Sequence, residues 1–242
     1  YIMHTQQSLI HYYVNVSCIS GHIFDVNLRI ENPDVNGQIL TLPAWIPGSY
    51  MIRDFAKNII TISAKDDAGQ EISIQKSDKQ TWEVQAVSTS LNIKYQVYAF
   101  DLSVRGAYIN DEIAFFNGTN MFLAVVGQTD QPCKLTLEKP IQPDLSHWKV
   151  ATSMPTEMQN KHAFGEYWAN HYDELIDHPV LLGEFDILPF STAGVDFELV
   201  LAGGHQSDVS RITKDLTKVC QQHIEFFADT PPVKRYQFTT LL

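Results

Sequence analysis

Apolar and polar residues alternate along most of the first 140 positions of the chain. A period of two places successive side chains on opposite faces of an extended backbone, so each run predicts a β-strand with one buried side. The clearest runs are 22–30, 91–99 and 133–137, and weaker ones lie at 39–42, 57–64, 72–74 and 82–86. Such alternation is typical of antiparallel sheets with one face in solvent. Residues 121–126 are apolar without interruption, which predicts a strand covered on both faces.

The breaks between these runs contain residues that favour turns. The Asp-Asp-Ala-Gly segment at 66–69 predicts a hairpin loop, and Pro47-Gly48 predicts a type II turn because glycine accepts a positive φ. Asn117-Gly118 predicts a tight turn that leads into the strand expected at 121–126. Many short strands at close spacing predict a sandwich or saddle-like sheet domain.

The last third of the chain has a different pattern. Residues 195–201 alternate as a strand, and residues 233–242 predict another strand. Between them, apolar residues recur at spacings of three and four over 209–227, which predicts an amphipathic helix with Ser207 or Asp208 as its N-cap. The order strand–helix–strand predicts the beginning of an α/β domain.

The overall prediction is a mainly β protein in two parts. An antiparallel β-sandwich or saddle domain occupies residues 1–180, and residues 181–242 begin an α/β domain whose core lies mostly downstream. The final apolar, strand-like segment favours a truncated chain. The alternative is a sheet edge that ends at Leu242, and such an exposed edge would promote aggregation.

Composition narrows the class of protein. The chain has 242 residues, of which 44% are hydrophobic and 19% charged, so it can bury a core. A formal net charge of −11 argues against binding nucleic acid or an anionic membrane surface. No stretch approaches the ~18–20 apolar residues of a membrane span. A soluble protein of the cytoplasm or periplasm is expected, and three scattered cysteines fit either compartment.

A complete active site is missing from the sequence. There is no HExxH, GxSxG, phosphate-binding loop or dinucleotide fingerprint. The densest group of potential ligands lies along and just after a predicted short helix, 170–177, which Pro179 would end. Its members are His171, Asp173, Glu174, Asp177 and His178. Glu174 and His178 could share a helix face, but a third ligand is not apparent, so helix capping is the favoured interpretation.

Two further segments could bind a ligand. Residues 42–50 combine two prolines, a glycine, Trp45 and Tyr50, and such a rigid aromatic loop could line a cleft. The amides and hydroxyl of residues 117–120 could bind a polar peptide end. From the residues alone, the favoured interpretation of the first segment is a packed loop whose Arg53 pairs with a carboxylate. The favoured interpretation of the second is a simple hairpin turn.

Together these segments resemble a known family. Leu-Pro-Ala-Trp-Ile-Pro-Gly-Ser-Tyr-Met-Ile-Arg-Asp-Phe at 42–55 resembles the hallmark of the glycyl aminopeptidase family, which are zinc metallopeptidases with a PDZ domain. Phe-Asn-Gly-Thr-Asn-Met-Phe at 116–122 resembles the second marker of that family, and residues 172–185 resemble the third. Tyr-Gln-Phe at 236–238 resembles the strand that enters its catalytic core.

The resemblance implies a gluzincin-like architecture in which an all-β domain precedes a thermolysin-like catalytic domain and a PDZ domain. It implies that the chain is the N-terminal part of a zinc-dependent aminopeptidase that removes glycine or other small N-terminal residues from peptides. Zinc would be the cofactor of the full-length protein. The zinc ligands and the general base would follow Leu242, so this segment would bind no zinc and be inactive alone.

The same resemblance suggests site residues within this chain. Asn117, Thr119 and Asn120 are candidates for the rim of the first substrate subsite, while Tyr50 and Arg53 are candidates for cleft shape or domain docking. The expected partners are a peptide substrate and the downstream catalytic and PDZ domains.

A rival hypothesis from another class is a stand-alone β-sandwich module that binds glycan or peptide without catalysis. Its stacking surfaces would be Trp45, Tyr50, Trp82 and Trp168. An HExxH motif within a few dozen codons downstream would favour the peptidase, whereas a stop codon would favour the module.

Overall fold

The computed structural model describes residues 9–227 and 230–242, which form eighteen strands, two α-helices and three 3-10 turns. In chain order the strands are β1 (Ile10–Cys18), β2 (Ile23–Ile30), β3 (Gln38–Thr41), β4 (Ile59–Asp66), β5 (Glu71–Ile72), β6 (Ile74–Lys76), β7 (Thr81–Val84), β8 (Leu91–Tyr98), β9 (Ala107–Ile109), β10 (Ile113–Phe116), β11 (Ala124–Val125), β12 (Cys133–Leu137), β13 (Lys149–Ala151), β14 (Gly165–Ala169), β15 (Val180–Gly183), β16 (Phe185–Thr192), β17 (Val195–Ala202) and β18 (Arg235–Leu241). The helices are α1 (Tyr172–Ile176) and α2 (Val209–Phe227), and the 3-10 turns lie at Phe55–Asn58, Gly118–Asn120 and Pro143–Leu145. The chain is mainly β with several antiparallel sheets, which confirms the predicted class.

The largest sheet has seven strands in the order β14-β12-β1-β2-β8-β4-β5. Strands β2, β8 and β12 fall within the three clearest alternating runs, and their apolar sides are buried as predicted. Strand β1 was not predicted, yet it is central, because it pairs antiparallel with β2 and parallel with β12.

A four-stranded sheet, in the order β13-β15-β10-β9, is buried on both faces. Phe116 and Leu182 point into the core formed with the seven-stranded sheet, whereas Phe115 and Leu181 point the opposite way and pack with Val200 of β17. This middle position explains why β10 and β15 read as uninterrupted apolar runs instead of alternating ones.

A second four-stranded sheet, β11-β3-β7-β6, packs on the same side of the seven-stranded sheet. Leu40, Trp82 and Val84 contribute its buried side chains to the common core. The hairpin predicted at residues 66–69 joins β4 to β5, with the Asp66 N–H donating to Gln70 O at 3.0 Å.

The last part of the chain forms a three-stranded sheet, β16-β17-β18, in which α2 connects the parallel strands β17 and β18. Helix α2 covers the sheet face that carries Phe197, while Val200 on the opposite face packs toward the middle sheet. The predicted helix and its two flanking strands are confirmed. The N-cap is Asp208, whose Oδ1 accepts a hydrogen bond from the Arg211 N–H at 3.0 Å.

The strand predicted over residues 121–126 is wrong for most of its length, since only Ala124–Val125 pair as a strand. Residues 121–123 are nevertheless completely buried. Three tyrosine hydroxyls satisfy their carbonyls: Tyr95 donates to Met121 O at 2.6 Å, Tyr172 to Phe122 O at 2.7 Å and Tyr12 to Leu123 O at 2.7 Å. These bonds replace the sheet ladder, because buried carbonyl groups need a donor.

The hairpin turn predicted at Asn117-Gly118 is also wrong. Asn117 instead caps the 3-10 turn Gly118–Asn120, and its side-chain Oδ1 accepts a hydrogen bond from the Thr119 N–H at 3.1 Å. An asparagine that accepts from the backbone two residues ahead favours such a cap over a type I′ hairpin turn, which needs positive φ at both central residues.

Candidate functional site

Three segments far apart in the sequence meet at one cleft of about 630 Å³. They are the proline-rich loop around residue 46, the capped turn around residue 118, and helix α1. The lining residues are Ile46, Pro47, Asn117, Thr119, His171, Asp173, Glu174, Ile176 and Asp177. The three candidate segments therefore share one surface, although long stretches of chain separate them.

The amides and hydroxyl of the turn are held in place by internal hydrogen bonds. Thr119 Oγ1 donates to Asn117 Oδ1 at 2.7 Å, and Asn117 Nδ2 donates to Val104 O at 3.4 Å. Asn120 Nδ2 donates to Arg105 O. Asn117, Thr119 and Asn120 are all buried, and only the first two line the cleft. These hydrogen bonds therefore hold the turn and the loop that contains Arg105 in place.

Gly118 permits the turn to contact α1 closely. A Cβ at this position would lie 2.6 Å from Ile176 Cα and 3.1 Å from Ile176 O. These are backbone atoms, so the collision could not be relieved by a side-chain rotation. A glycine is therefore needed for the second segment to dock on the third.

Helix α1 confirms the short helix predicted before Pro179. His171 is its N-cap, with Nδ1 accepting from the Glu174 N–H at 3.2 Å, and Glu174 Oε2 accepts from the Asn170 N–H at 2.6 Å. This arrangement confirms the capping interpretation for both side chains.

His178 lies apart from these caps, in the loop after α1. Its Nδ1 lies 2.8 Å from Ser153 Oγ, and burial lowers the pKa of His178. The neutral imidazole is therefore favoured at this position.

Tyr50 and Arg53 do not line the cleft in the part of the chain that the structure describes. The Pro47-Gly48 turn forms as predicted, with a Gly48 φ of 80° and the Ser49 N–H donating to Ile46 O at 3.1 Å. Beyond it, Tyr50 is fully exposed, and Arg53 Nε donates to Ser49 Oγ at 3.5 Å. Among residues 9–227 and 230–242, no carboxylate lies within ion-pair distance of Arg53, so the expected pairing is wrong.

The aromatic residues of the rival hypothesis are dispersed. Trp45 is half exposed beside the cleft loop, whereas Trp82 is buried in the core and cannot stack on a ligand. Trp168 lies on the seven-stranded sheet with Lys134 Nζ 5.4 Å from its ring centroid.

The sequence indicated residues 42–50 as a loop that could line a cleft, with Trp45 and Tyr50 as its aromatic members, whereas the residues of this loop that line it are Ile46 and Pro47. The role of Gly118 in docking was not predicted. A signal was present for the buried supports of the site, since Tyr12 and Tyr95 occupy apolar positions of alternating strands. A tyrosine at such a position brings a polar hydroxyl into the core and requires a partner there.

The described residues of this chain do not fit a zinc centre. Within them, no three His, Cys, Asp or Glu side chains are placed to hold a metal ion. The helices among these residues are also too short or too polar to cross a membrane.

Comparisons with known proteins show which family this part of the chain belongs to. A family model described as the Peptidase M61 N-terminal domain matches residues 11–184. The fold is similar to the crystal structure of an aminopeptidase N family protein from Idiomarina loihiensis, with a TM-score of 0.91 and 43% sequence identity. That match covers 96% of this chain and 39% of the other, so this chain spans well under half of the relative's length.

More distant matches show the fold alone. An M1 zinc metallopeptidase from Deinococcus radiodurans matches with a TM-score of 0.53 and 10% identity, covering 96% of this chain and 56% of that chain. A mutant of that enzyme bound to a Tyr-Ser-Ala substrate matches with a TM-score of 0.54 and 10% identity, with the same coverage. No curated protein matches the sequence.

Proposed function

Because the chain belongs to the Peptidase M61 N-terminal domain family, we propose that it is the N-terminal part of a zinc-dependent aminopeptidase. The parent enzyme removes glycine or other small N-terminal residues from peptides. The observation that carries the proposal is the meeting of the three marker-like segments at one cleft. The greater length of the Idiomarina loihiensis relative supports a parent with further domains.

In this proposal the metal chemistry belongs to the rest of the parent protein. The zinc ligands and general base lie in a gluzincin-like catalytic domain that residues 181–242 begin, after the β domain of residues 1–180, and a PDZ domain follows. The zinc metallopeptidases of similar fold support zinc as the metal. The described residues of this chain do not fit a zinc site, so in this proposal they contribute to substrate binding and not to the metal.

The contribution of this chain is to shape the substrate cleft near the first subsite. Asp173, Glu174 and Asp177 give the cleft an acidic side, and no lysine or arginine lines it among the described residues. A free peptide N-terminus is a cation and is favoured there. The turn that carries Asn117, Thr119 and Asn120 forms the polar rim beside these carboxylates.

Tyr50 and Arg53 serve domain docking in this proposal. Tyr50, Met51 and Ile52 are exposed apolar side chains on consecutive residues, with Trp45 nearby. Such a patch favours burial against another protein surface. Tyr50→Ala should weaken the association of this chain with a separately produced catalytic domain, whereas Tyr98→Ala, at an exposed position on β8, should leave it unchanged.

The function is tested with glycyl-p-nitroanilide. The full-length parent should hydrolyse it, a chelator should abolish the activity, and zinc should restore it. The 242-residue chain alone should release no nitroaniline at any zinc concentration. Hydrolysis by this chain alone, or full activity of the parent in chelator, would overturn the proposal.

The rim is tested with Asn120→Ala in the parent. The change should raise KM or lower kcat/KM for peptide substrates, because it frees the Arg105 loop and loosens the turn. Unchanged kinetics would remove Asn120 from the site.

The alternative is a stand-alone module that binds glycan or peptide, favoured by the half-exposed Trp45 on the cleft loop. A glycan-array signal that Trp45→Ala abolishes, together with a stop codon directly after Leu242, would favour it.

A further inference from the structure

A second concave site lies on the solvent face of the seven-stranded sheet. Tyr12 on β1 and Tyr95 on β8 point from this sheet into the core. The residues next to them on each strand therefore point to the opposite face. There, side chains of β1, β2, β8 and β4 surround a groove of about 590 Å³. Its size is that of a small-molecule site.

The strand register places polar side chains in two rows across this groove. Asn15 lies opposite Asp25, Asp25 opposite Gln96, and Gln96 opposite Thr61. In the next row, Tyr13 lies opposite Asn27, Asn27 opposite Lys94, and Lys94 opposite Ser63.

One row is held by hydrogen bonds between its side chains. Thr61 Oγ1 donates to Gln96 Oε1 at 3.2 Å, and Gln96 Nε2 donates to Asp25 Oδ1 at 2.9 Å. The Tyr13 ring stacks on His11 with a centroid distance of 3.9 Å, which fixes its orientation. The groove is therefore organised before a ligand arrives.

Two amide oxygens beside the groove have no donor in the part of the chain that the structure describes. Asn15 Oδ1 and Asn27 Oδ1 are shielded from solvent, and neither accepts a hydrogen bond from the described residues. Acceptors of this kind need a donor, since an unpaired buried polar atom is costly. As the side chains stand, these oxygens face away from solvent. A half-turn about χ2 would exchange the oxygen and the nitrogen of each amide and present the oxygen to a ligand without backbone movement.

The charges of the groove argue against an anionic ligand. Its charged side chains are Lys94, Asp25 and Glu138, a formal net charge of −1. A hydroxyl group both donates and accepts, and several hydroxyls match a mixture of amides, a carboxylate and an ammonium. A tyrosine ring can stack on the apolar face of a sugar ring.

We propose that this groove binds a neutral oligosaccharide. Tyr13 stacks on one sugar ring, while Asn15, Asn27, Asp25 and Lys94 form hydrogen bonds to its hydroxyls. The site goes beyond the proposed peptidase function, because it lies on the sheet face opposite the core and shares no residue with the cleft around Thr119.

The test uses three probes, maltotriose, cellotriose and chitotriose, with tetraglycine as a neutral peptide comparison. Saturation-transfer difference NMR on the 242-residue chain should show contact with at least one trisaccharide, with a Kd of about 1 mM or tighter by calorimetry. Asn27→Ala and Tyr13→Ala should each weaken binding at least tenfold. Asn92→Ala, on the same face of β8 outside the groove, should leave it unchanged.

Ser63→Trp provides a variant that does not remove a groove amide. The tryptophan fills the groove from its edge, so this substitution should abolish binding. The thermal unfolding midpoint should stay near that of the unsubstituted 242-residue chain. Absence of transfer from all three trisaccharides would overturn the proposal. So would trisaccharide binding that survives both Asn27→Ala and Ser63→Trp, or binding of tetraglycine alone.

Discussion

Residues 9–184 and residues 185–242 bury their apolar surface to different degrees. In the first region, two smaller sheets cover one face of a seven-stranded sheet, and large side chains such as Phe122 and Tyr95 are completely enclosed. In the second region, α2 has the correct period, yet Cys220 is its only buried residue and Phe226 and Phe227 are 81% and 71% exposed. Periodicity therefore predicts an element but does not measure how much of its apolar face is covered.

The largest expected effect comes from replacing one phenylalanine by alanine in each region. Phe122 packs against Tyr12 and Phe116, so Phe122→Ala should lower the free energy of unfolding by about 3–5 kcal/mol. Phe227→Ala should change it by less than about 0.5 kcal/mol. Urea denaturation measures both, and equal losses would mean that the two regions are packed alike.

Gly118→Ala tests the docking of the turn on α1. Because the new Cβ would collide with the Ile176 backbone, we expect a loss of about 3 kcal/mol. Gly204→Ala is the matched control in the second region, since no heavy atom lies within 4 Å of its Cβ position. A neutral Gly118→Ala in thermal denaturation would contradict the close contact.

Tyr95→Phe tests the hydroxyl that replaces a sheet ladder. It leaves Met121 O without its donor, which should cost about 2 kcal/mol in chemical denaturation. Tyr98→Phe removes an exposed hydroxyl on the same strand and should be silent. If the two variants behave alike, the carbonyls of residues 121–123 are satisfied in another way.

The smallest effect concerns the ionic contact between the two regions. His162, whose Nε2 lies 3.7 Å from Glu198 Oε1, and Arg235, whose Nη2 lies 2.7 Å from Glu198 Oε2, lower the pKa of Glu198 from 4.5 to about 2. A depressed carboxyl pKa stabilises the fold above about pH 4.5, and this contribution disappears as the pH falls toward 2.

We expect this loss to be roughly 1 kcal/mol, since solvent reaches the group in part. Denaturation at pH 7, 5, 4 and 3 should show this loss of stability in the unsubstituted 242-residue chain. It should also appear in Glu225→Gln, a substitution at an exposed position on α2. It should be absent from Glu198→Gln. The same acid dependence in Glu198→Gln would assign it to other carboxyl groups.

Much of the fold could be predicted from local pattern. Strands β2, β8 and β12, helix α2 and strand β17 follow from periodicity, because each presents one apolar face to a core. The segment 121–126 could not be predicted, since its shape depends on hydroxyls of Tyr12, Tyr95 and Tyr172 that are distant in sequence.

The candidate site was predictable in its parts but not in its assembly. Residues 117–120 and 171–177 stood out by composition, and resemblance placed them in order along the chain. Their meeting depends on a glycine contact with Ile176 that no local pattern reveals. The exposed loop position of Tyr50 likewise depends on the turn at Gly48, which carries the chain away from the cleft.

The most direct measurement is kcat/KM for glycyl-p-nitroanilide in the full-length parent carrying Thr119→Val or Thr119→Ser. The valine removes the hydroxyl that donates to Asn117 at 2.7 Å while keeping the side-chain shape, and the serine keeps the hydroxyl. We predict at least a tenfold loss for Thr119→Val and near-parent values for Thr119→Ser, with thermal midpoints close together. Parent-like kcat/KM in Thr119→Val would contradict a substrate-facing cleft on this domain.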